Sequence, residues 1–141
     1  MTHTAILAQA ALFLWFFGCI RTYRIGKALL VEGMGVKSAE FMMLCLFTAA
    51  AALSWLFPSW GCWPLLGVLI FWFVVQFFCH WYYTIFGATP QKLSGYNTCF
   101  CNTIHLIPAS DKKLIPDLYH ILLHTLILLN IALTILRLAR P

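Results

Sequence analysis

The residues best placed to do chemistry are three histidines, His80, His120 and His124, set among strongly apolar neighbours. His120 and His124 are four apart, so on a helix they share one face. His80 sits about six residues before the end of one apolar run, roughly 9 Å inside it. His120 and His124 lie roughly 6 and 12 Å past Pro116, where the next apolar run opens. A single loop joins these runs, so the three imidazoles belong near one membrane face at matching depths. Three imidazole nitrogens plus a water form a recognised metal-binding set, which makes His80, His120 and His124 candidate ligands for zinc, iron or copper. One histidine from each helix could instead hold the iron of haem b axially. Asp117, about one turn before His120, is a candidate to cap its helix or to orient that imidazole. The simpler role for such histidines is hydrogen bonding between helices, or relaying a proton.

The loop between the two runs carries a weaker candidate pair. Cys101 and His105 would share a face if that piece is helical, and thiolate with imidazole suits zinc or copper. The rival expectation is an amphipathic segment on the headgroups, with Phe100, Ile104 and Ile107 dipping inward. A loop this long without function or internal structure is uncommon, so it is expected to be structured and to cap the helix ends near His80 and His120.

The elements that must position these residues follow from composition. The chain is 62% hydrophobic and 9% charged over 141 residues, whereas soluble domains carry about 25% charged residues. A small water-soluble fold cannot hide that much apolar surface, so the solvent is lipid. About 20 apolar residues cross roughly 30 Å of hydrocarbon. Four runs approach that length: 4–20, 38–57, 64–86 and 116–136. Backbone polar groups must be satisfied internally there, so the runs are helices. The expected fold is all-α, an integral membrane four-helix bundle forming one four-span domain over 1–141.

Arg21, Arg24, Lys27, Lys37, Lys92, Lys112 and Lys113 fall in the first and third connections, with Arg137 and Arg140 on the other side. The positive-inside rule therefore expects both termini outside, in a plasma (cytoplasmic) membrane. If the first helix continues, Arg21, Arg24 and Lys27 line one face of it and snorkel to the headgroups. The net charge of +5 then reflects topology and lipid contact, with no nucleic-acid partner implied. Ser38 is the expected cap of the second helix, and Gln9 a source of one interhelical hydrogen bond. The six cysteines have no pairing pattern on the oxidising side, which argues against disulfide exchange.

Three function classes remain open. The first is an accessory or ligand-binding subunit that packs on other membrane subunits or on itself. The second is a metal- or haem-dependent membrane enzyme or electron carrier using His80, His120 and His124. The third is a small oligomeric transporter or channel. No phosphate loop, serine-nucleophile motif or His-Glu-x-x-His is present, and the helices lack the deep carboxylate of small multidrug transporters.

Overall fold

The computed structural model describes residues 2–108 and 110–139, so Arg140 lies outside the described residues. These are mostly helical. Helix α1 (Thr2–Phe16) runs into a tight turn at Phe17–Cys19, and a short antiparallel hairpin follows, β1 (Tyr23–Ile25) with β2 (Ala28–Val31). Helix α2 spans Ala39–Leu56, and α3 is continuous over Cys62–Phe86. Helix α4 (Pro90–Phe100) and helix α5 (Leu118–Leu138) complete the chain.

Helices α2, α3 and α5 are each long and apolar enough to cross a membrane; α1 is apolar but shorter. Its end reflects what packs beneath it. A Cβ at Gly18 would come within 2.8 Å of Val31 and 2.9 Å of Tyr23, so glycine admits both hairpin strands against the helix end. Arg21, Arg24 and Lys27 are therefore not on a continued helical face, contrary to the sequence expectation. They lie in and around the hairpin, which reverses at Gly26 and Lys27. A two-residue turn favours glycine where φ is positive, and Gly26 has φ +60.

Helices α1, α2, α3 and α5 pack in cyclic order around one core. Trp72 lies at its centre, 4.3 Å from the Phe16 ring and 5.7 Å from Phe47. Leu12, Leu65, Leu69, Leu123 and Ile127 fill the surrounding layer. Lipid tails are as apolar as leucine, so within a membrane close packing rather than expulsion of water would hold such helices together. Small residues at the seams serve this: Ala5 and Ala8 on α1, Ala50 and Ala51 on α2, all buried.

Polar clamps add direction to this packing. Trp15 Nε1 donates to Tyr119 O and the Tyr119 hydroxyl donates back to Trp15 O, at 3.1 and 3.2 Å, with the two rings stacked. Toward the other end, Trp55 Nε1 donates to Gln9 Oε1, Asn130 Nδ2 to Ala8 O, and Arg137 Nη2 to Ser54 O. Ser38 caps α2 by accepting from Phe41 N at 3.2 Å.

Candidate functional site

The site forms where α3, α4 and the start of α5 meet. Near its end α3 loosens into a wider π-helical turn over Phe77–Trp81. Such turns interrupt the regular ladder and recur at functional sites; this one carries His80. Thr84, one turn on, donates to His80 O at 3.0 Å and to Leu114 O at 2.7 Å. That shared hydroxyl ties the end of α3 to the segment leading into α5.

Asp117 is the N-cap of α5. Its Oδ1 accepts from His120 N at 3.0 Å and from His120 Nδ1 at 2.6 Å. One carboxylate oxygen thus both caps the helix and holds the imidazole, the two roles the sequence offered as alternatives. Asp117 is fully buried. Burial works against its charge, but the His120 side-chain hydrogen bond, the His120 charge and the His120 amide outweigh it and hold the carboxyl below the usual range. An ionised aspartate fixes a proton of His120 on Nδ1, where that nitrogen donates to Oδ1.

Helix α4 forms a lid over the pair. Thr89 caps it, Pro90 opens it, and Leu93 is buried beneath it. Lys92 Nζ sits 4.2 Å from the centre of the Tyr83 ring, pinning the lid to the end of α3. The Tyr96 hydroxyl lies 3.0 Å from His80 Nδ1. Burial first, and then the charge of Asp117, push the Tyr96 phenol up, so it stays a neutral O–H able to donate to that nitrogen. Phe100 closes the site, its ring 6.1 Å from His80 and 5.2 Å from His120. The hinge of the lid is Gly87, with φ +86. An open hollow of about 630 Å³ lies beside it, lined in part by Thr89, Pro90, Lys112 and Lys113.

The His80 and His120 rings touch, with centroids 3.9 Å apart and planes inclined by 31°. Both are mostly buried. Tyr96 and His80 Nδ1 share one hydrogen bond, whose direction follows the His80 tautomer. Neither Nε2 atom has a hydrogen-bond partner among the described residues. Rings already in contact leave no room for a porphyrin plane between them, so this arrangement does not form the axial haem pair considered from the sequence.

His124 takes another direction. Its ring packs edge-on against Phe73 at 4.5 Å and Trp81 at 5.7 Å. Among the described residues, no group of three or more His, Cys, Asp or Glu is placed to hold a metal ion. Cys101 and His105 are not on a shared helical face, since α4 ends at Phe100. His105 Nε2 instead engages Phe100 O at 3.0 Å and the Thr103 hydroxyl at 3.3 Å. All six cysteines are free, Cys99 and Cys101 on the surface.

Tyr96, Phe100 and Thr84 are the site residues that sequence reasoning missed as partners of the histidines. The signal for Tyr96 was its place in the long loop, with no spacing rule to connect it to His80. Comparison with protein-family models, with characterised proteins and with solved structures returned no match.

Proposed function

We propose that the chain is a four-span integral membrane subunit that binds a small ligand at the lid-covered His80–His120 pair. The observation that carries this reading is the pairing of two imidazoles whose Nδ1 atoms are already engaged, by Tyr96 and by Asp117. The Nε2 atoms this leaves unengaged can donate or accept according to tautomer, which suits a small hydrogen-bonding ligand such as a carboxylic acid, an amide or a hydroxyl. Hydrogen bonds in such a covered, low-dielectric place gain strength.

Four spans are supported by α1 being apolar and packing along α5 beside the three longer helices. A role beside other membrane subunits is supported by large side chains exposed on several helices, among them Leu7, Leu14, Met42, Trp55, Phe71 and Leu128. Isolated spans normally meet either lipid or a neighbouring subunit with such faces.

Mild extraction from native membranes tests the reading. The expected result is a chain carrying a small molecule, alone or with a partner at fixed ratio, and losing that molecule in His80→Gln and His120→Gln. A chain that carries nothing, and whose hydrodynamic size and bound mass are the same in both variants, contradicts it.

A further inference from the structure

A second polar feature lies at the seam of α3 and α5, where Trp81 meets His124. His124 Nδ1 and Trp81 Nε1 are both buried without a hydrogen-bond partner among the described residues. Their rings are in edge-to-face contact, so both orphan groups belong to one seam, and Phe73 packs on the His124 ring. His124 is only 7% exposed. Leaving such groups unsatisfied in hydrocarbon costs several kcal/mol each, so a partner from outside the chain would stabilise them.

We propose that Trp81 and His124 together bind the carbonyl oxygen of a membrane-dissolved molecule. A carbonyl oxygen has two lone pairs. One accepts from Trp81 Nε1–H and the other from His124 Nδ1–H. The depth fits this occupant. His124 lies six residues beyond the start of α5 and Trp81 five residues before the end of α3, each roughly 8–9 Å inside its helix. That is the outer edge of a hydrocarbon layer about 30 Å thick, next to the interface that holds the lipid esters and the polar head of a lipophilic ring compound. The proposal needs α3 and α5 to span a membrane, and it is independent of any ligand at His80 and His120.

Native mass spectrometry of the full chain, exchanged from detergent into defined lipid, tests it. The probes are a diester phospholipid, its diether analogue lacking the carbonyls, and a short-chain benzoquinone. Wild type is expected to retain the diester or the quinone, and to retain the diether about tenfold more weakly, as the loss of hydrogen bonds implies. Retention of the diester assigns the site to bilayer lipid, and retention of the quinone alone assigns it to a free ring ligand. Trp81→Phe and His124→Gln are each expected to lower retention about tenfold, while Trp63→Phe, exposed at the far end of α3, is not. Should one variant fail to fold, the other decides. Equal retention of diester and diether with no quinone bound, equal retention by wild type and both variants, or no bound probe at all, overturns the proposal and leaves a trapped water as the partner.

Discussion

Replacing Asp117 separates two roles that one oxygen atom performs. Asp117 Oδ1 accepts the capping amide of His120 and the His120 imidazole. Losing an N-cap costs about 1 kcal/mol, and losing a hydrogen bond to a charged group about 1.5–3 kcal/mol. Asp117→Ala is therefore expected to destabilise by about 2–4 kcal/mol. Asp117→Asn keeps a capping carbonyl and a neutral hydrogen bond to the ring, so about 1–2 kcal/mol is expected. Burial of the carboxylate opposes its charge, which makes both figures upper values. The pH dependence follows from the depressed carboxyl. A lowered folded-state pKa contributes stability that is complete above the unfolded value of about 3.9, and it is lost as pH falls through the lower folded value. The gap between wild type and Asp117→Asn should thus be constant near neutrality and close in strong acid. Reversible unfolding in mixed micelles, followed by circular dichroism at several pH values, measures it. A variant Asp117→Asn as stable as wild type at pH 7 would refute the charge-assisted bond to His120.

Four further outcomes follow from particular contacts. Tyr96→Phe removes the 3.0 Å bond to His80 at a cost of about 1 kcal/mol, and amide exchange over α4 should quicken while α2 is unchanged. Lys92→Ala, which removes the contact with Tyr83, should loosen the same helix by about 0.5–1 kcal/mol, visible as faster proteolysis near Gly87. Gly61→Ala places a Cβ against Leu53 O and Phe57 O, where the chain turns tightly from α2 into α3, and is expected to cost about 1–3 kcal/mol. Gly67→Ala, with open space around it, should be neutral or stabilising by up to about 1 kcal/mol in the same unfolding assay.

What is legible in the sequence is set by its apolar composition. The apolar runs, the Ser38 cap and the shared depth of His80 and His120 all follow from local chemistry and helix rise. Facing did not, because a helix apolar on nearly all sides carries no stripe to mark its inner side. Helix spacing alone therefore groups His124 with His120 on one turn-to-turn row, although its ring goes to Phe73 and Trp81. The wide turn at Phe77–Trp81 has no sequence signature and shifts which residues follow inward. The hairpin was legible in principle, since Tyr23 and Ile25, then Leu29 and Val31, alternate around Gly26. A helical reading of the preceding run simply extended over it. Tyr96 reached His80 through tertiary closure of the lid, which no local pattern records.

The contact between the two imidazoles is most directly tested by magic-angle-spinning NMR of histidine-labelled protein in lipid bilayers. A ring-to-ring cross-peak between His80 and His120, with His120 Nδ1 protonated and hydrogen-bonded, is the expected spectrum, and both features should vanish in His120→Gln. Separate His80 and His120 rings with no cross-peak, in protein whose helices are otherwise intact, would contradict the account.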